Sequence, residues 1–205
     1  MSCVIVIQAR TSSKRLPAKA LLPVAGIPMV VLASKRAANT GIKVIVATSN
    51  EQDDDILVGV LKSYRIQYFR GSLNNTLKRL VNAVSSYDDE TIFIRLTADN
   101  VFPDGTFVTE VLEDFCARSL EYLCCNGPPS GLPFGLSCEV TRVKHLREAL
   151  NHNLSEFEKE HVTPFVKKKF GSTYFEKYKN LKKGNYRCTV DVYEDYLNIQ
   201  RVFTD

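Results

Sequence analysis

The sequence predicts an α/β fold in which a mainly parallel sheet carries helices on both faces. Two observations support this. Through the first two-thirds of the 205 residues, short apolar runs alternate with longer stretches bearing helix start signals. That is the order of right-handed βαβ crossovers. The first run, Cys3-Val4-Ile5-Val6-Ile7, has no polar alternation, as expected of a strand buried on both sides.

Residues 3–8 form the first strand. Gly26-Ile27-Pro28 opens a helix to about Asn39, with Pro28 in its first turn. Val44 to Thr48 is a second strand, and Asn50 to Asp55 caps a helix reaching about Tyr64, with acids at the positive end of its dipole. Residues 66–69, 74–86, 91–96 and 104–119 continue as strand, helix, strand and helix. After about residue 120 the rhythm changes. Strands at 122–125 and 137–141 flank a Gly/Pro-rich loop, and helices follow at 143–150 and 156–169. Short strands at 173–177 and 187–190 and a closing helix at 193–203 complete the pattern. The expected organisation is one domain, 1–205, with an irregular insertion or pairing subregion at about 120–185.

A hydrophobic content of 44% suffices for a core, and 24% charged residues suit a globular chain. The net charge of +4 is too mild to indicate nucleic acid. No run approaches the eighteen or so apolar residues a membrane span requires. The six cysteines lack metal-ligand spacing, and no export pattern precedes the first strand. They are therefore expected to be reduced, mostly buried thiols of a cytoplasmic protein. Adjacent Cys124 and Cys125 on a strand point to opposite faces.

The chemistry concentrates after the first strand. From Arg10 to Lys19 there are four cations and no acid. A basic, hydroxyl-bearing loop at the carboxyl end of a first strand is where open α/β sheets bind anions, and Arg10, Arg15 and Lys19 suit a triphosphate. Asp99 follows strand 91–96 and Asp191 follows 188–190, so both acids belong to the same sheet edge. Paired carboxylates facing phosphate-binding cations are the donor set of a Mg²⁺-dependent nucleotidyl-transfer site.

These segments resemble the cytidylyltransferase family that activates acidic sugars as CMP-sugars, most closely its SpsF-like spore-coat polysaccharide branch. The resemblance rests on Gln8-Ala9-Arg10 with Arg15-Leu16-Pro17 and Lys19, Phe69-Arg70-Gly71-Ser72, and Arg95-Leu96-Thr97-Ala98-Asp99. Gly135-Leu136 with Glu139-Val140, Glu160-His161-Val162-Thr163-Pro164, and Thr189-Val190-Asp191 with Glu194-Asp195 extend it over the whole chain. It implies a three-layer α/β/α, Rossmann-like fold of the nucleotide-diphospho-sugar transferase type. It also implies CMP transfer from CTP to an acidic or amino sugar, with pyrophosphate released. By position, Ala9, Arg10, Ser13, Arg15, Lys19, Arg70 and Arg95 would frame the nucleotide, and Asp99 and Asp191 would hold Mg²⁺. Glu139 and His161 would face the acceptor. Relatives commonly pair as homodimers, so a homodimer is expected. The chain departs from the family pattern at Ser12 and Ala18, where glycine is usual, at Lys14, at Pro133-Phe134-Gly135-Leu136-Ser137, which lacks two acids, and at Asn100-Val101 after Asp99.

The sequence admits three other readings. Asp53-Asp54-Asp55 contains the Asp-x-Asp of glycosyltransferases with a related sheet, but its place at a helix start favours a capping role. The stretch from Lys167 to Arg187 holds eight cations and one acid among aromatics, which suits single-stranded RNA or, preferably, a solvated rim. A nucleotide-binding homologue without turnover is the third.

Overall fold

In the computed structural model, which describes residues 2–125 and 127–204, the chain opens with β1 (Cys3–Gln8). A small antiparallel hairpin, β2 (Pro23–Val24) and β3 (Ile27–Pro28), leads into α1 (Met29–Ala37). Then come β4 (Val44–Ser49), α2 (Asp55–Ser63), β5 (Tyr68–Gly71), α3 (Thr76–Ala83), β6 (Ile92–Thr97) and α4 (Gly105–Ala117). β7 (Leu123–Cys125), the single turn α5 (Gly127–Ser130), β8 (Cys138–Arg142) and α6 (Val143–Leu150) follow. The chain closes with α7 (Glu156–His161), α8 (Pro164–Phe170) and α9 (Tyr193–Thr204).

Six strands form one sheet in the order β5-β4-β1-β6-β8-β7. The first four are mutually parallel, joined by helical crossovers, while β8 runs antiparallel to both β6 and β7. Two-residue alternation sorts the central strands between two cores. Ile5, Ile7, Ile92 and Ile94 pack with α1, α2 and α4 through Val30, Leu57, Leu61, Val108 and Phe115. Val4, Val6 and Phe93 pack the other way, against Leu77 and Leu80 of α3, Leu146 of α6 and Val166 of α8. Each such side chain stabilises the fold by roughly 1.5–3 kcal/mol on burial. Cys125 joins the first core and Cys124 the second, so their side chains diverge as the alternation requires. The six cysteines are free thiols.

A third, smaller cluster matters more for the site. Val24, Met29, Val101, Val190 and Ile199 pack together, fastening the 188–190 segment and α9 to β2, the start of α1 and the loop after β6.

The later segments differ from expectation in identifiable ways. The helix expected over 156–169 is two helices, because Pro164 cannot continue one and the chain turns sharply before it. There Thr163 N donates to the carbonyl of His161 at 2.8 Å across Val162, which is held at φ 70° and ψ −54°. This is a γ-turn of the rare, strained type. The strands expected at 173–177 and 187–190 reduce to single bridges, Cys124 to Tyr174 and Phe134 to Arg187. The third strand lies two residues later than its hydrophobic run suggests, because Arg70 and Gly71 extend the pairing with Thr48 and Ser49.

Candidate active site

The basic loop is shaped by its own backbone. The carbonyl of Thr11 accepts from the amides of Ser13 and Ala18, both at 2.8 Å, so residues 11–18 close on themselves and deliver Lys19 back toward the sheet. Ala18 makes that return in the left-handed region, at φ 57°. The loop is anchored by Asp54. One of its oxygens accepts from Thr11 N and Thr11 Oγ1, each at 2.7 Å, and the other from Thr48 Oγ1 and Ser49 N at 2.9 and 3.0 Å. Burial would raise the Asp54 carboxyl, but the hydroxyls of Ser49 and Thr11 with the remaining donors hold it below the usual range. Asp53 and Asp54 do sit in a first helical turn, yet neither Asp54 nor Glu51 makes a side-chain cap. The central acid faces inward and ties loop to strand, and Asp55 pairs with Arg70.

Two adjoining clefts open at the carboxyl ends of β1 and β6. The first, of about 410 Å³, is lined by Ala9, Arg10, Ser13, Arg15, Lys19, Asp99, His161 and Asp191 among others. The second, of about 530 Å³, is lined by Arg95, Glu139, Lys167, Phe134 and Phe157, and shares Thr97, Asp99, His161 and Asp191 with the first. The two aspartates and the histidine therefore stand where the clefts meet.

The junction is drawn together by backbone as well as charge. Val190 N donates to the carbonyl of Asp99 at 3.0 Å, which sets Asp191 beside Asp99. Lys19 Nζ donates to Asp99 Oδ2 at 2.6 Å, Asp191 Oδ1 at 2.8 Å and the Val190 carbonyl at 2.8 Å. Arg15 reaches Asp191 Oδ1 at 3.0 Å, and Arg187 reaches Asp191 Oδ2 at 2.6 Å while also pairing with Asp195. Burial would raise the Asp191 carboxyl, but Lys19, Arg187 and Arg15 hold it below the ordinary aspartate range. On the outer wall Arg10 pairs with Glu160 of α7 at 3.2 Å. Two carboxylates and a carbonyl gathered at one cationic point form a hard-oxygen donor set that fits a magnesium ion.

In the second cleft Glu139 is directly opposite Arg95 across the β6–β8 ladder, and the two form an ion pair. Its other oxygen accepts from Tyr122 Oη and Thr163 Oγ1, each at 2.7 Å, and from Lys167 Nζ at 2.9 Å. Burial would raise this carboxyl, yet Arg95, Lys167 and the Tyr122 hydroxyl hold it at about 2.

Most of the anticipated residues thus gather at one edge of the sheet, with two adjustments. Arg70 does not line either cleft; it donates to the carbonyls of Ser49 and Glu51 and pairs with Asp55. Arg95 and Glu139 face the second cleft, where Glu139 is saturated with donors and acts on its surroundings by holding Arg95 and Lys167. The exposed His161 packs its ring on Phe157, with centroids 4.2 Å apart.

Sequence reasoning passed over Arg79. Only 2% exposed, it lines the first cleft and donates to the carbonyls of Ser72 and Leu73; its Nε has no partner among the described residues. Burial, with Arg10 nearby, lowers its pKa to about 10. Its helical spacing with Thr76 and Leu80 reads as an ordinary amphipathic face, so only the depth of the cleft distinguishes it. Arg187 and Lys167 read only as part of a basic stretch, and Asp195, quoted with Glu194 in the last family-like segment, carried no assigned role.

A family model described as cytidylyltransferase matches residues 4–202. An uncharacterised protein of Methanocaldococcus jannaschii is 30% identical, over 99% of this chain and 85% of its own length. The spore coat polysaccharide biosynthesis protein SpsF of Bacillus subtilis is 26% identical, over 97% of this chain and 85% of its own. A solved cytidylyltransferase from Leptospira borgpetersenii superposes with a TM-score of 0.87 at 27% identity, covering 98% of this chain and 85% of that one.

Proposed function

Because the chain belongs to the cytidylyltransferase family, we propose that it transfers CMP from CTP to an acidic or amino sugar, releasing pyrophosphate, as a step in surface polysaccharide or glycan synthesis. The observation that carries this reading is the meeting of two clefts at Asp99 and Asp191, with Arg10, Arg15 and Lys19 lining the first and Arg95 and Lys167 the second. A triphosphate in the first cleft would present its α-phosphorus at the junction to a hydroxyl arriving from the second.

The reaction requires alignment and charge neutralisation more than covalent help. Arg10 and Ser13 would orient the triphosphate, and Arg15 and Lys19 would take up charge growing on the departing pyrophosphate. Arg95 and Lys167, held by Glu139, would meet an anionic group on the acceptor, with His161 at the boundary. Asp99 and Asp191 would hold Mg²⁺, which supplies positive charge against phosphate oxygens when bound. The SpsF name supports the polysaccharide context.

The test is pyrophosphate release from each nucleoside triphosphate over a panel of acidic and amino sugars. Release from CTP with one class of sugar is the expected result. Consumption of a preformed nucleotide sugar instead would make the protein a glycosyltransferase, and CTP binding without release on any acceptor would make it a non-catalytic homologue.

A further inference from the structure

Lys19 is asked to do two things that its three N–H groups cannot do together. All three are used here, on Asp99 Oδ2, Asp191 Oδ1 and the Val190 carbonyl, at 2.6, 2.8 and 2.8 Å. An ammonium has no further donor for a phosphate oxygen. The same three oxygens are the hard donors a divalent ion prefers. We infer that they form one cation site, with the Val190 carbonyl as a third ligand, and that the Lys19 ammonium and a divalent ion are alternative occupants of it. This rests on the reading of Asp99 and Asp191 as the metal pair.

The surroundings allow the exchange. The Lys19 backbone is fixed by the loop closure at Thr11 and Ala18, so the movement belongs to its flexible four-carbon stem. Asp191 keeps Arg187, itself secured by Asp195, when Lys19 departs. Arg15, whose side chain is 64% exposed, is free to swing away. A divalent ion alone must displace an ammonium buried among its counter-charges, and a triphosphate alone must draw that ammonium off two acids. Bound together, each removes the obstacle to the other. The two ligands are therefore positively coupled, and the coupling is reciprocal.

The test needs no nucleotide. Mn²⁺ is titrated into the nucleotide-free protein by electron paramagnetic resonance, comparing wild type with Lys19→Met, Lys19→Gln and Lys19→Arg, with thermal melts to identify the folded variants. The neutral variants should bind Mn²⁺ about 10-fold or more tightly than wild type, on the usual scale of site coupling. Lys19→Arg should stay near wild type, and adding Asp99→Asn to Lys19→Met should abolish the gain. A folded neutral variant with wild-type Mn²⁺ affinity overturns the shared cage. A gain without pyrophosphate release from any nucleotide would sustain the cage and sink the enzyme, whereas an active enzyme without the gain would sink the cage alone.

Discussion

Asp99 and Ala18 show how single residues set the site's chemistry and its strain. Asp99 shares Lys19 with Asp191 and accepts from Thr97 Oγ1, so an amide there changes charge while keeping shape. Asp99→Asn should lower turnover by about 10²–10³-fold, the scale of losing one preorganised electrostatic group. An unchanged melting temperature beside the lost turnover would confirm that the fold is spared; full activity at saturating Mg²⁺ would remove Asp99 from the mechanism. Ala18 is different. Its φ of 57° costs an L-residue roughly 1–2 kcal/mol. Glycine relieves that cost but adds about 0.4–1 kcal/mol of unfolded-state freedom. The net gain of up to about 1.6 kcal/mol means that Ala18→Gly should raise the melting temperature by up to about 6 °C for a chain of this size, and a fall would mean that the loop is not strained at this point.

Among the elements, the 186–190 segment decides whether there is a site at all. It pairs with no strand beyond a bridge, yet it must carry Asp191 to Asp99. It is held by Phe134 N donating to the Tyr186 carbonyl at 2.8 Å and Cys188 N donating to the Phe134 carbonyl at 2.7 Å. Gly135, at φ 110°, permits this approach, since a Cβ there would lie 2.5 Å from Thr189 N. Gly135→Ala should cost about 1–3 kcal/mol through overpacking, with further loss from backbone strain. It should lower CTP turnover more than CTP binding, because it displaces Asp191 and leaves Arg10 and Ser13 in place. Equal losses in both would show that the segment serves stability alone. The strained turn at Val162 belongs to the same scale: it sets His161 at the junction and Thr163 on Glu139.

At the scale of the whole molecule, many cations of the basic stretch from Lys167 to Arg187 are paired. In the basic stretch, Lys167, Lys169, Lys177 and Lys179 pair with Glu139, Glu148, Glu110 and Glu176, and Lys183 lies over the Tyr186 ring. Lys167 belongs to the second cleft, and the other three pairs lie on the exposed surface. No helix among the described residues is long and apolar enough to cross a membrane. The partly buried carboxylates also set the acid limit. Glu139 is depressed from 4.5 to about 2 by Arg95 and Lys167 against the opposing effect of burial. A carboxyl whose folded pKa is depressed contributes stability above its unfolded pKa and loses it as pH falls through the folded value. Melting temperature should thus fall between pH 4.5 and about 2. Glu139→Gln should flatten that fall while costing about 3–5 kcal/mol at neutral pH, where Arg95 and Lys167 lose their counter-charge. Parallel pH profiles for the two proteins would place the acid sensitivity in other carboxylates.

How much of this the sequence discloses depends on the range of the force involved. Periodicity and capping act within a few residues, so the parallel half of the sheet and its helices were legible, as was the basic loop at the end of β1. Position after β6 put Asp99 on that edge, whereas the strand expected before Asp191 is only a bridge, and Asp191 arrives there through the hydrogen bond from Val190 N to the Asp99 carbonyl. Beyond residue 120, hydrogen bonds to distant segments replace local signals. The insertion of β8 between β6 and β7, and the reduction of two expected strands to bridges, left little trace in composition.

By itself, the amino-acid order determined the α/β class, the loop of cations and the edge to which Asp99 belongs, because each follows from short-range backbone and side-chain preferences. Only the tertiary structure decided that one ammonium is held by both aspartates, that Glu139 binds Arg95 across an antiparallel ladder, and that Asp54 serves the loop from within. Those contacts join residues 43 to 172 positions apart, and no local preference carries information over such a span.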